Sequence, residues 1–148
     1  MITRLQWVII SSMLMFACNS EDKPQPVNTI VEPPVTNPQA GSSSSAGSFV
    51  SYEHGLAGKV LLYIDTTNVI TLRLEQFTMT QGPDVHVYLS KSSNYSAANV
   101  LEVTKLTTGF QGSSINFTFH DTRYTAAHVF VLVYCNQYNS LFGYAELQ

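Results

Sequence analysis

The stretch VLVYCNQYNSLFGYAEL, Val131–Leu147, decides the fold of this 148-residue chain. It reads as an apolar strand, a polar turn around Asn136 and a second strand that ends at Leu147. Short apolar runs joined by turns that contain Asn and Ser are typical of paired antiparallel strands. The residues 129–134 are apolar at successive positions, which predicts a central strand that is covered on both faces.

The residues before this hairpin repeat the same pattern of short strands and turns. Ile70, Leu72 and Leu74 alternate with polar residues, as in a half-buried strand. Further strands are predicted at 59–64, 69–77, 85–89, 115–119 and 142–147. A helical turn or two is expected only around 96–103. Seven to eight short strands predict an all-β fold, a small antiparallel β-sandwich or barrel.

The chain begins with a segment that is typical of a secretory signal. A short basic region is followed by an apolar run from Trp7 to Ala17. This run is shorter than the about 20 residues that span a bilayer. Leu14–Cys18 resembles a bacterial lipobox, which implies a signal peptide at 1–17 and acylation of Cys18. An ordinary signal peptide with a chance cysteine is the alternative.

The acylated Cys18 would make membrane lipid a partner of the protein, because several acyl chains on one residue anchor it stably. Ser20–Asp22 also resembles the acidic export tags of some surface lipoproteins. The expected location is therefore the bacterial cell envelope, anchored in the outer membrane and facing the periplasm or the surface.

Residues 18–48 are predicted to form a flexible tether, and residues 49–148 a single all-β domain. The tether contains five prolines and a Gly/Ser-rich run, which cannot bury a core. The net charge is −3, and the basic residues are scattered singly, so nucleic acid is not an expected partner. The patterns of conventional hydrolases and nucleotide-binding enzymes are lacking, and whether the protein is an enzyme stays open.

The chain has two cysteines, and acylation of Cys18 would leave Cys135 without an intramolecular partner. An unpaired thiol is unusual in an exported protein. Three roles remain open for Cys135: a reactive thiol, a ligand, or an inert buried residue. Strand alternation places it on the same face as Val131 and Val133, which favours burial. Its position at a strand end favours the rim.

Three segments of the domain together resemble the DM13 domain. They are EHGLAGKV at 53–60, GPDVHVYLS at 82–90, and VYC at 133–135 followed by LFGYAEL at 141–147. The resemblance implies a small all-β extracellular module that serves electron transfer or redox modification at cell surfaces. It also implies that Cys135 is the redox group, as a free thiol or as the ligand of a prosthetic group such as haem. The resemblance does not identify the cofactor further, and the alternative to haem is a module that binds no cofactor.

Histidines are the candidate activators or co-ligands of this thiol. His54 has the best positional match to the family, and it is the candidate cofactor-binding residue beside Cys135. The others, His86, His120 and His128, match no compact metal motif. His86 is expected to face away from Val85 and Val87. Asp84 follows Gly82-Pro83, and its carboxylate is expected to bond nearby backbone N–H groups of a turn.

The sequence thus supports two main functions. The first is a lipid-anchored extracytoplasmic redox module that acts through Cys135 on an unknown redox partner. The alternative is a non-catalytic module that binds or adheres to another envelope component, with Cys135 as an inert buried residue. A third hypothesis is metal capture by Cys135 with one or two histidines.

Overall fold

The computed structural model describes residues 43–52 and 54–148. The predicted signal peptide, Cys18 and the tether up to residue 42 lie outside the described residues. The described part contains eight strands: β1 (Ser43–Ser51), β2 (Ala57–Ile64), β3 (Ile70–Met79), β4 (Val85–Ser90), β5 (Val100–Leu106), β6 (Phe110–Phe119), β7 (Phe130–Cys135) and β8 (Ser140–Glu146).

All strand pairs are antiparallel, and they form one sheet in the order β5-β4-β7-β8-β1-β2-β3-β6. Strand β1 joins the two halves, because its first part pairs with β2 and its last three residues pair with β8. The sheet therefore curves into a nearly closed barrel whose two outer strands, β5 and β6, lie near each other. The predicted all-β fold of seven to eight strands is confirmed.

The predicted helical turn at 96–103 is wrong. The residues 97–99 form a turn, Val100 begins β5, and no helix occurs among residues 43–52 and 54–148. This described part therefore contains no helix that is long and apolar enough to cross a membrane. Leu101 and Leu106 are buried in the core, so pairing with β4 overrides a weak local preference for helix.

The last part of the predicted flexible tether is a strand in the structure. The residues 43–48 form the first part of β1 and do not form a coil. A Cβ atom added to Gly47 would lie 2.2 Å from the carbonyl oxygen of Glu146. The backbone of β1 passes so close to the C-terminal strand that only a residue without a side chain fits. The small residues of this segment therefore permit a close strand contact, which composition alone did not indicate.

The interior of the barrel is filled by one aliphatic and aromatic core. Its fully buried members include Leu72, Leu74, Phe77, Val87 and Val133. Strand β7 lies between β4 and β8 and is buried on both faces, as predicted. Its inward residues join the main core, and its outward residues join a second, smaller cluster that also contains Tyr88.

Candidate functional site

The candidate redox residue, Cys135, is the last residue of β7. In the sheet it is paired with Val85 of β4 and with Ser140 of β8. Its side chain faces inward with Val131 and Val133, has 0% solvent exposure and belongs to the main core. It is a free cysteine. The thiol is therefore enclosed by apolar groups, and no solvent reaches the sulfur in this conformation.

The turn that follows Cys135 is bonded to β4 and to the residue before it. The Asn136 backbone N–H donates to the Asp84 carbonyl oxygen at 2.9 Å, and the Asn136 side chain exchanges hydrogen bonds with the Tyr88 hydroxyl at 2.9 and 3.1 Å. The next residues are exposed; Tyr138 has 68% exposure. The turn is closed by a long hydrogen bond of 3.4 Å from the Asn139 N–H to the Asn136 carbonyl. The thiol is thus followed directly by an exposed turn that Asn136 ties to β4 and that a long hydrogen bond closes.

His54 lies in the turn between β1 and β2, with a positive φ of 62°. Its ring stacks on Phe142, with the ring centroids 4.0 Å apart and an interplanar angle of 27°. Its carbonyl accepts a hydrogen bond from the Thr80 N–H at 3.1 Å. Phe142 belongs to the same core as Cys135. The imidazole therefore covers the aromatic part of this core, and its role as a cofactor ligand stays a prediction.

The other histidines lie elsewhere in the barrel. His86 faces away from the core residues Val85 and Val87, as predicted, with its ring nitrogens 2.8 Å from Glu102 Oε1 and 3.1 Å from Asp84 Oδ1. His120 and His128 lie in the connection between β6 and β7, before the end of β7 that is opposite to Cys135. Within 43–52 and 54–148, no group of three or more His, Cys, Asp or Glu residues could hold a metal ion. The metal-capture hypothesis thus gains no support.

Asp84 differs from its expected role as a turn residue that bonds backbone N–H groups. Its Oδ1 accepts hydrogen bonds from the side chains of Lys105 and His86. The Lys105 ammonium group first, and His86 second, hold the pKa of the Asp84 carboxyl below its usual value. The carboxylate therefore ties β4 to β5 on the outer surface of the sheet.

Aromatic side chains cover the outer face of β7, which is opposite to the face that carries the thiol. Tyr95 stacks on Tyr134, the neighbour of Cys135, with centroids 4.0 Å apart, and Tyr88 packs edge-on against Tyr95 at 5.2 Å. Burial raises the pKa of Tyr88 to about 12 and also raises the pKa of Tyr134. These phenols therefore stay protonated at neutral pH. Sequence analysis missed Tyr95, because it lies in the loop between β4 and β5, where no pattern predicts which strand it covers.

The surroundings of Cys135 do not fit a haem bound through its sulfur. Such a ligand needs room for the macrocycle and an open approach to the sulfur. The sulfur is instead enclosed by the core, and three cavities of about 510, 490 and 200 Å³ are lined by neither Cys135 nor His54. The haem alternative, with Cys135 as the ligand, is therefore not supported by the described residues.

The fold and the site together define a small barrel-like β-module with a single buried thiol in its described part. Comparison with protein-family models matches residues 48–147 to the family described as Electron transfer DM13. The chain belongs to this family, as the three sequence segments indicated. Comparisons with curated proteins and with solved structures gave no match.

Proposed function

We propose that this protein is a lipid-anchored extracytoplasmic redox module in which Cys135 is the redox group and Cys18 carries the anchor. Membership of a family described by electron transfer supports a redox role in general. The observation that carries the specific proposal is the position of Cys135. It is a free thiol at the end of the central strand, directly before an exposed turn.

The chemistry that suits a single thiol is thiol–disulfide exchange. The Cys135 thiolate attacks a disulfide RS–SR of a partner, one S–S bond breaks, and a mixed disulfide and one RS⁻ leaving group form. The proton of the Cys135 thiol ends on the released RSH, so atoms and electrons balance. Because the sulfur is fully buried, this step requires a local opening that exposes it, and we assign this opening to the adjacent turn at 136–139. The weak hydrogen bond that closes this turn supports such an opening.

The Cys135→Ala variant tests the redox function. The full chain in a Cys18→Ser background is incubated with oxidised glutathione, and intact-mass spectrometry counts glutathionyl groups. We expect one glutathionyl group per chain, removed again by reduced glutathione, and none on the Cys135→Ala variant. A native chain that acquires no group, but is modified once it is denatured, would contradict the exchange chemistry.

The proposed anchor is tested separately by Cys18→Ser in a Gram-negative host. We expect the parent protein in the membrane fraction, because multiple acyl chains hold a protein stably in a bilayer. The Cys18→Ser protein should move to the soluble fraction. If both proteins fractionate alike, the lipid anchor is excluded, while the redox role of Cys135 remains to be judged from the exchange experiment.

A second candidate function is favoured by the burial of the thiol itself. A cysteine with 0% exposure inside an apolar core behaves as a small hydrophobic residue. In that case the module binds an envelope component through its surface, and Cys135→Ala leaves this function intact. A cell phenotype that is lost on deletion of the protein, and restored by the Cys135→Ala variant, would favour this function over the redox role.

A further inference from the structure

An open trough runs along the outer face of β1, between β2 and β8. It has a volume of about 510 Å³, and its lining includes Ser48, Lys59, Tyr144 and Glu146. Neither Cys135 nor any histidine belongs to this lining. The trough therefore provides a surface that is separate from the thiol and from its candidate co-ligands.

Strand alternation shows which side chains point into the trough. Phe49 of β1, Val60 of β2 and Ala145 of β8 pack in or against the core. Successive side chains of a strand point to opposite faces of a sheet. The neighbours of these three residues therefore point outward; they are Ser48, Val50, Lys59, Tyr144 and Glu146.

The register of the strands places Ser48 between a cationic and an anionic side chain. On one side, Ser48 is the partner of Lys59 in the β1–β2 pair. On the other side, Ala46 exchanges two backbone hydrogen bonds with Gln148, at 3.0 and 3.1 Å, in the same register as the β1–β8 pair. Ser48 therefore lies opposite Glu146. Because neighbouring strands are about 4.8 Å apart, the backbones that carry Lys59 and Glu146 are separated by about 10 Å.

The floor of the trough consists of small residues, and its walls carry charged groups. Ala46 and Ser48 form the floor along β1, while Lys59 and Glu146 stand on its two sides. Among the described residues, neither the Lys59 ammonium group nor the Glu146 carboxylate has a hydrogen bond or an ion pair. An ammonium group only donates hydrogen bonds, and an ionised carboxylate only accepts them. The trough thus offers a donor on one wall and an acceptor on the other.

Exposed apolar side chains lie at one end of the trough. The described part of the chain exposes large apolar or aromatic side chains at three positions, and two of them are here: Val50 with 49% and Tyr52 with 60% exposure. The Tyr52 ring packs against Tyr144, with the ring centroids 6.0 Å apart. Exposed apolar groups that are rimmed by polar residues mark binding surfaces. This end therefore supplies an apolar contact beside the charged walls.

These features define the chemistry of the occupant. An extended peptide would gain no added-strand pairing, because β1 is an inner strand between β2 and β8. An anion would be attracted by Lys59 and repelled by Glu146, and a cation would experience the reverse. A hydroxyl group both donates and accepts hydrogen bonds, so a neutral ligand with many hydroxyl groups satisfies both walls. The C–H groups of such a ligand suit the exposed tyrosine.

We propose that this trough binds a neutral saccharide chain, whose hydroxyl groups accept from Lys59 and donate to Glu146 while a sugar ring packs on Tyr52. The site gives the module a ligand in addition to any redox partner. It does not rest on the proposed redox function, because the thiol is not part of the trough.

Three neutral oligosaccharides test the proposal on the full chain in a Cys18→Ser background: maltohexaose, cellohexaose and chitohexaose. We expect calorimetry to show that at least one of them binds in a ratio of one per chain, with a dissociation constant of about 1 mM or below. The backbone amide signals of Ser48 and Glu146 should shift in nuclear magnetic resonance spectra when this saccharide binds.

Variants of the trough locate the binding. Tyr52→Ala should weaken binding of this saccharide at least about fivefold, because it removes the exposed ring. Tyr138→Ala is the matched control: it removes a tyrosine with 68% exposure from the turn after β7 and should leave the affinity unchanged. Glu146→Gln keeps the shape of the side chain but removes its charge, and it should also weaken binding at least about fivefold. Ser48→Trp, at an exposed position of the floor, should block binding.

The outcomes separate this site from other occupants and from the thiol. Binding of none of the three saccharides overturns the proposal, and so does binding that Tyr52→Ala and Ser48→Trp leave unchanged. Dimers in sedimentation experiments that Ser48→Trp dissociates, without saccharide binding, would assign the trough to a second copy of the chain instead. Cys135→Ala should bind the saccharide as the parent does, so a failure of the redox function does not affect this test.

Discussion

The Gly143→Ala variant is expected to lower the free energy of unfolding by about 3 kcal/mol, a large effect for one methyl group. A Cβ atom at Gly143 would lie 2.2 Å from the Val50 carbonyl oxygen and 2.7 Å from Leu56 Cδ2. The carbonyl belongs to β1, the strand that joins the two halves of the sheet. It cannot move without breaking the pairing of β1 with β8. Chemical denaturation of the purified full chain measures the change.

A matched glycine variant distinguishes close approach from a general effect of glycine replacement. Gly112 in β6 has a positive φ of 63°, and no atom lies within 4 Å of an added Cβ. Asn tolerates this backbone conformation. Gly112→Asn should therefore change the free energy of unfolding by no more than about 0.5 kcal/mol. If Gly143→Ala costs no more than this control, β1 is not held against β8 as closely as the structure indicates.

The second large effect is the protection of the Cys135 thiol from alkylation. In a Cys18→Ser background, we expect the native thiol to react at least about 10³-fold more slowly than the same thiol in denaturant. The reason is that the sulfur has 0% exposure and becomes accessible only in a rare open conformation. Labelling with a maleimide, followed by mass spectrometry over time, gives the rate.

The dependence of this rate on denaturant separates the two candidate functions. Opening of the 136–139 turn exposes little surface, so the redox function predicts a rate that hardly changes at low denaturant concentrations. An inert core cysteine would react only through global unfolding, and its rate would rise steeply with denaturant. Tyr138→Cys in a Cys135→Ala background places a thiol in the same turn, at a position with 68% exposure, and gives the rate of an accessible thiol. Native Cys135 labelling within tenfold of this control would contradict its burial.

Several functional expectations depended on residues whose neighbours come from distant parts of the chain. Cys135 faces inward, as strand alternation indicated, but only the pairing of β7 between β4 and β8 encloses it completely. Asp84 looked like a local turn residue, whereas its partner Lys105 lies on the neighbouring strand. His128 matched no motif, yet its side chain is buried with only 3% exposure between segments that are distant in sequence.

The sequence by itself determined the fold class, the position of most strands, the two-sided burial of β7 and membership of a family linked to electron transfer. These features follow from the two-residue period of a strand and from short motifs, which are local properties of a chain. Only the tertiary structure decided that the Ser-rich segment from Ser43 is a strand and that 100–106 pairs with β4. It also decided how far the thiol lies from solvent. The physical reason is that pairing, closure of the barrel and burial depend on contacts between residues far apart in sequence, for which a local pattern carries no signal.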